Sequence, residues 1–495
     1  MILSKETLKN INVAGLQKPD ENIFNLPEKV LQFGTGVLLR GLPDYFIDKA
    51  NREGVFNGRV VVVKSTSTGG TDAFAEQDNL YTIYADGIED GKPASEKLIC
   101  SAISRVVSAA DEWGAILDLA HSAHLQVVIS NTTEVGIALV EESIKLNPPT
   151  SFPAKLVAVL YERFKAFNGD ITKGLVIVPT ELIVNNGKKL RGIVLELAKL
   201  NGLDEAFITW VELHNTFCDS LVDRIVPGKP NKEQMSKIDA ERGFTDELTI
   251  LSETYSLWAI EGDEKVASVL SFASVNKGIV IAPDIDLFRE LKLRLLNGSH
   301  TLSCAVAFLS GFETVREAMD DDKFSRFITT LAFDELIDAI PYPVERKQAE
   351  DFANAVLDRF RNPNIRHEWL SISAQYSAKI KMRVLPLLLN RYSKNSEVPA
   401  HIALGFAAYI RFMKTAKDES GNFIGEVNGR TYKVTDDQAA LLNQLWQNDD
   451  TDLVVENVLS NQQLWGTDLS ALPGFKAAVA GKLKSISADT AQAVV

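Results

Sequence analysis

The run Val30-Leu-Gln-Phe-Gly34-Thr-Gly36-Val-Leu-Leu-Arg40-Gly-Leu-Pro-Asp-Tyr-Phe-Ile47 decides the fold. Val30–Phe33 reads as a short strand running into Gly34-Thr35-Gly36, and an apolar-periodic helix follows through Leu38, Leu42, Phe46 and Ile47. A first glycine makes the turn and a second lets a phosphate approach. A nucleotide pyrophosphate there would rest on the backbone amides of Gly34, Thr35, Gly36, Val37 and Leu38 at a helix N-terminus. Leu39 stands where a third glycine is usual, so the fingerprint is incomplete, and a glycine turn without a ligand is the alternative. Further β-branched runs follow at Arg59-Val-Val-Val-Val63, Leu125-Gln-Val-Val-Ile129 and Leu175-Val-Ile-Val178, with helical patterns between them. Continuous apolar strands alternating with helices predict a doubly wound α/β domain with a buried parallel sheet.

The loops after these strands are polar. Lys64-Ser65-Thr-Ser-Thr-Gly69 follows the second strand, where a carboxylate would bind the ribose of NAD; a cation with hydroxyls there suits the extra phosphate of NADP or a ribose equally well. Asn131, Thr132, Thr133 and Glu134 form a second candidate cofactor loop, for which a helix-capping loop is the bland alternative. Near residue 283 the character changes. Pro283 stops what precedes it, Asp284 or Asp286 can cap the next helix, and helical periodicity then dominates. The chain therefore divides into an α/β domain at 1–283 and a mostly α-helical domain at 284–495. One exception in the second is Asn422–Val434, where Asn428-Gly429 between apolar alternations signals a two-residue hairpin.

Composition narrows the function. The chain has 495 residues, is 45% hydrophobic and 24% charged, and carries a net charge of -14. The acidic balance argues against a nucleic-acid groove but not against a local cationic pocket. No apolar run long enough for a membrane span is present, and Met1-Ile-Leu-Ser-Lys-Glu lacks a signal-peptide core. Cys100, Cys218 and Cys304 are too few and scattered for a disulfide framework or a cysteine-rich zinc site, so a reducing cytoplasm is the expected home. No histidine pair has the close helical spacing of a zinc hydrolase, and no metal is expected. The oligomeric state stays open.

Lys292, Asn297 and His300 lie in an otherwise apolar stretch. At about 100° per residue on an α-helix, Asn297 lies roughly 140° and His300 roughly 80° around from Lys292, so all three share one broad face. An amine, an amide and an imidazole aimed at one point can interconvert a secondary alcohol and a ketone: the amine exchanges a proton, the amide steadies the oxygen, and the imidazole holds the substrate. Gly298 within this helix costs about 1 kcal/mol relative to alanine, which is understandable if backbone or cofactor packs closely there.

With these residues in view, the chain resembles the mannitol dehydrogenase family of polyol-specific long-chain dehydrogenases. The likeness is carried by Gly34-x-Gly36-x-x-x-Arg40, Asp78-Asn-Leu-Tyr81, Thr133-Glu-Val-Gly136, Asn186-Gly187, Val222-Asp223-Arg224-Ile-Val-Pro227 and Trp258-Ala-Ile-Glu261. Lys292-x4-Asn297-x2-His300 matches the family's catalytic signature. Ser65–Gly69, Ser130–Glu134 and Pro179–Gly187 look like a branch of the family that acts on a sugar acid.

The resemblance implies a Rossmann-type N-terminal domain, a helical C-terminal domain and metal-free hydride transfer with NAD, despite Lys64. It also implies a small sugar-acid substrate in a cleft between the domains. Lys292 is then the acid/base and Asn297 the oxyanion donor, with help from Asn186. His300 holds a substrate hydroxyl, with Asp223 orienting it or Lys292. Lys379 and Arg383 take the substrate carboxylate, since a guanidinium can bind it bidentately, although a solvated basic helix face would look the same. Mannitol-type members carry Asp-Asn where this chain has Glu181-Leu182, so Asn185 is an alternative to Asn186. A fructuronate reductase, a neutral-polyol dehydrogenase and a non-catalytic nucleotide-binding protein are the rival readings.

Overall fold

The computed structural model describes residues 1–65, 70–132, 135–448 and 450–488. The chain forms two compact units: Met1–Asp86 with Pro93–Ile285, and Gly87–Lys92 with the chain from Asp286 onward.

The first unit is built on six parallel strands: β1 (Glu28–Phe33), β2 (Arg59–Lys64), β3 (Ile103–Ser108), β4 (Val127–Ser130), β5 (Val176–Pro179) and β6 (Thr216–Phe217). Their order across the sheet is β3-β2-β1-β4-β5-β6, the order of a doubly wound dinucleotide-binding sheet. Alternate residues feed opposite cores, which is why the strands read as unbroken apolar runs. Val30, Val60, Val62, Val127 and Ile129 face one core, with the helix Pro43–Arg52 and the segment around Phe272. Leu31, Phe33, Val61, Val63 and Val128 face the other, under the helices Phe152–Ala166 and Asn186–Leu200.

The helix expected through Ile47 is in fact two, Val37–Gly41 and Pro43–Arg52. Pro43 has no N–H to continue the first, and Leu42 turns the chain with φ -131° and ψ -82°. Two smaller sheets were not evident in the sequence. One joins Leu16–Gln17, Tyr81–Glu89, Lys92–Cys100 and Ile250–Ser252; the other joins Ser220–Asp223, Leu257–Glu261 and Ile279–Ala282.

The second unit is mostly helical around a large apolar core. The helix Asn297–Leu309 packs on Ala400–Phe412, which packs in turn on Phe475–Ala488. Gly405 permits the first contact, because a Cβ there would lie 2.6 Å from a Leu302 methyl and 3.0 Å from the Leu302 carbonyl. The Asn428-Gly429 hairpin forms as its sequence predicts, with both residues at positive φ (52° and 73°) and Val427 opposite Arg430. Among the described residues no helix is long and apolar enough to cross a membrane.

Candidate active site

Three loops gather at the carboxyl edge of the parallel sheet. Phe33 is in register with both Val63 and Ser130, so the chain leaves β1 at Gly34, β2 at Ser65 and β4 at Asn131 side by side. This edge, beside the point where strand order reverses, is where open α/β sheets bind ligands. Gly34 has φ +128°, and a Cβ would meet the Asn131 carbonyl at 2.8 Å, so only glycine fits. Gly36 caps the helix Val37–Gly41, is exposed, and has nothing within 4 Å of its Cβ position. The space beside Gly36 is therefore open, which leaves room for a pyrophosphate to approach the turn. Leu39, at the usual third-glycine position, is fully buried and packs on Gly34 instead.

The other loops are only partly in view. Lys64 is half-buried at the end of β2 and Ser65 is exposed; Thr66–Gly69, Thr133 and Glu134 lie outside the described residues. The Asn131 amide donates to the Thr180 carbonyl (3.2 Å) and hydroxyl (3.0 Å), fastening this loop to the end of β5. Buried Glu181 does the same from the other side, accepting from the Thr132 amide (2.9 Å), the Thr132 hydroxyl (2.9 Å) and the Ser130 hydroxyl (3.1 Å).

Asn186 is fully buried, and its N–H groups face the carbonyls of Pro179 (3.1 Å), Glu181 (3.0 Å) and Ser220 (3.1 Å). Its oxygen accepts from the Gly187 and Ser220 amides, both at 2.9 Å. Two hydrogens facing three carbonyls leave nothing for a substrate oxygen, so the oxyanion role expected of Asn186 gives way to a structural one. Asn185 is exposed at φ 55°. Asp223 ends the strand Ser220–Asp223 and is buried.

In the second unit the chain does not run as one α-helix from Asp286 to Leu309. Lys292–Leu296 is a π-helical turn between Asp286–Leu291 and Asn297–Leu309, and the Asn297 N–H reaches the Lys292 carbonyl. A five-residue turn places Asn297 one turn above Lys292, as i and i+4 stand on an α-helix, so the two are closer in azimuth than the 140° of regular geometry. Lys292 is half-buried. Asn297 is also half-buried.

His300 stacks on Phe360, with centroids 4.1 Å apart, and meets His367 edge-on at 5.1 Å. Its Nε2 is buried and unpartnered. Burial, reinforced by His367, Arg359, Arg383 and Lys379, holds the imidazole well below its ordinary value, so the ring is neutral. Gly298 does not reflect a close approach within this unit, because a Cβ there would find ordinary contacts at 3.5–3.9 Å.

The expected carboxylate clamp lies next to this turn. Lys379 ends a short helix and Arg383 sits in a second π turn, Ile380–Val384. Lys379 Nζ donates to the Ile372 carbonyl at 2.8 Å. Burial and the nearby Arg383 hold it below its ordinary value. Arg383 Nη1 donates to the Thr301 hydroxyl (3.2 Å), which donates to the Asn297 carbonyl (2.7 Å), while Arg383 Nε is buried without a partner. Tyr376 adds a further tie. Its hydroxyl accepts from the Ala305 N–H (3.1 Å) and donates to the Thr301 carbonyl (2.7 Å), two groups an α-helix would pair with each other.

Residues 28–273 match the mannitol dehydrogenase Rossmann domain and residues 284–487 the mannitol dehydrogenase C-terminal domain. The chain belongs to the mannitol dehydrogenase family. It is 38% identical to altronate oxidoreductase of Bacillus subtilis (strain 168) over 481 residues, 95% of this chain and 96% of the relative. It is also 38% identical to altronate oxidoreductase of Escherichia coli (strain K12) over 469 residues, 93% and 94% of the two chains. Among solved structures, D-sorbitol dehydrogenase in substrate-free form aligns with TM-score 0.80 at 20% identity over 100% of both chains. Pseudomonas fluorescens mannitol 2-dehydrogenase, in a ternary complex with NAD and D-mannitol, aligns with TM-score 0.67 at 22% identity over 100% of this chain and 98% of that one. At these identities the two structures establish a shared fold.

Against the family pattern, Glu181 is the informative departure. Its longer arm ties down the Thr132 loop, a role the sequence did not disclose. The contacts of His300 with Phe360 and His367, and the ties made by Thr301 and Tyr376, were likewise missed, because they join segments far apart in the chain. Arg40, part of the family's opening motif, is structural: it donates to the Leu248 carbonyl at 2.7 Å and lies over the Tyr81 ring.

Proposed function

We propose that this chain interconverts D-tagaturonate and D-altronate with NADH and NAD. The reading is carried by one combination: the Lys292, Asn297 and His300 constellation, with a neutral imidazole whose Nε2 is buried and unpartnered, in a chain 38% identical across 95% of its length to an altronate oxidoreductase. When bound, NADH supplies the hydride that reduces the ketone carbon. Gly34, Thr35, Gly36, Val37 and Leu38 would hold its pyrophosphate, flanked by Lys64, Ser65, Asn131 and Thr132; Thr133 and Glu134, outside the described residues, are candidates on the sequence alone.

As the ketone is reduced, negative charge grows on its oxygen, and the Asn297 N–H donates to it. Lys292 gives that oxygen a proton and takes it back in the oxidative direction, so a hydride and a proton together account for the two added hydrogens. His300 stays neutral and uses its unpartnered nitrogen for a substrate hydroxyl. Asp223 accepts a second hydroxyl. Lys379 and Arg383 take the carboxylate, which is what separates a sugar acid from a neutral sugar. Three buried cysteines with no disulfide favour a cytoplasmic setting.

Absorbance at the NADH band tests the proposal directly, with D-tagaturonate, D-fructuronate and D-fructose each offered with NADH and with NADPH. The proposal expects D-tagaturonate with NADH to be fastest. Faster turnover of fructose than of either uronate would remove the substrate assignment. No oxidation with any keto sugar would favour a nucleotide-binding protein without catalysis.

A further inference from the structure

Arg294, in the first π turn, is buried, and all three nitrogens of its guanidinium donate hydrogen bonds. On one side Nε and Nη2 meet the two Glu290 oxygens at 2.8 and 3.2 Å, a bidentate pair one turn back on the same helix. On the other side Nη1 donates to the main-chain carbonyls of Met382 (2.6 Å) and Arg383 (3.0 Å). The second contact has a cause in the sequence. Pro386, in the first turn of Leu385–Lys394, has no N–H to offer the carbonyl four residues earlier, which is that of Met382. Left alone, Met382 would present an orphaned carbonyl at the end of a π turn. Arg294 supplies the missing donor from the turn that carries Lys292.

We propose that Arg294 is a positioning residue: its guanidinium latches the π turn bearing Arg383 to the π turn bearing Lys292, so that the carboxylate clamp and the proton donor keep a fixed spacing. The spacing matters because a substrate held by its carboxylate presents its ketone to Lys292 and Asn297 only if both ends register, and small misplacements cost large factors in rate. Glu290 holds the guanidinium in orientation. Lysine cannot replace arginine, since a single ammonium cannot meet Glu290 in a bidentate pair and reach two carbonyls together.

The latch rests on the functional reading above for its role, but not for its existence, and two readouts separate them. In hydrogen exchange, Arg294→Met should speed exchange of the amides in 380–390 at least tenfold, with little change in the parallel sheet. In kinetics, Arg294→Met and Arg294→Lys should raise KM for D-tagaturonate about tenfold or more while NADH affinity stays within twofold. Pro386→Ala, which restores an N–H to Met382, should recover at least threefold of both losses when combined with Arg294→Met. A merely structural arginine would lower Tm without splitting the two affinities, and no proline substitution would repair it. Unchanged exchange in 380–390, or equal loss of NADH and uronate binding, overturns the latch. If the parent enzyme does not turn over any uronate, the functional reading falls while the exchange result still decides the latch.

Discussion

Asp44 gives a prediction whose size follows from the structure. It lies fully buried in the helix Pro43–Arg52, and the Gln32 amide donates to its Oδ2 at 3.2 Å while Oδ1 has no partner. Burial pushes its carboxyl from an ordinary 3.8 up to about 7, with nearby Asp48 adding to the rise and Gln32 and Arg40 opposing it. Because the folded value is the higher one, the protonated form's contribution to stability is whole below pH 3.8 and is lost as pH climbs through about 7. Roughly three pH units at about 1.4 kcal/mol each make the cost of ionised Asp44 about 4 kcal/mol above pH 8. Asp44→Asn keeps the shape and removes that ionisation. Thermal unfolding followed by circular dichroism should show the variant melting roughly 5 °C above the parent at about pH 8.5, with the gap shrinking to less than half at about pH 5. A gap independent of pH would mean that Asp44 titrates in the fold as in the unfolded chain, and a variant less stable in alkali would mean that Arg40 holds Asp44 ionised; either result refutes the burial cost.

Asn297→Ala should lower kcat roughly 10²–10³-fold, the usual effect of losing one oxyanion donor, with NADH affinity by fluorescence titration within twofold. Arg383→Met should raise KM for D-tagaturonate about 10-fold or more, as expected for one charged contact, and leave any fructose turnover unaffected. Imidazole nitrogen NMR shifts of His300 should remain those of a neutral ring at about pH 6, below the ordinary histidine value, because burial depresses it.

The parallel sheet was legible because its physics is local to each strand. Val60 to Val63 alternate between two cores, and that leaves an uninterrupted β-branched run. The glycine turn was legible for the same reason: Gly34 must be glycine at φ +128°. The smaller sheets were not, since Tyr81–Glu89 pairs in register with Ile250–Ser252, far along the chain. The π turn at Lys292–Leu296 carries no proline or glycine to announce it, and regular helix geometry therefore misjudged how Lys292 and Asn297 stand. Asn186 shows the opposite limit. The sequence places it beside a family motif, but only the fold reveals that backbone carbonyls consume its amide.

In the proposed reaction, Lys292 moves the proton that completes hydride transfer to a sugar-acid ketone. The most direct measurement is single-turnover oxidation of NADH by Lys292→Ala with saturating D-tagaturonate, beside a titration of NADH binding to the same protein. The variant should bind NADH at near-parental affinity and show a chemical step slowed at least about 10²-fold, the lower end expected for loss of a positioned acid. Parental-rate oxidation by the variant would contradict this role for Lys292.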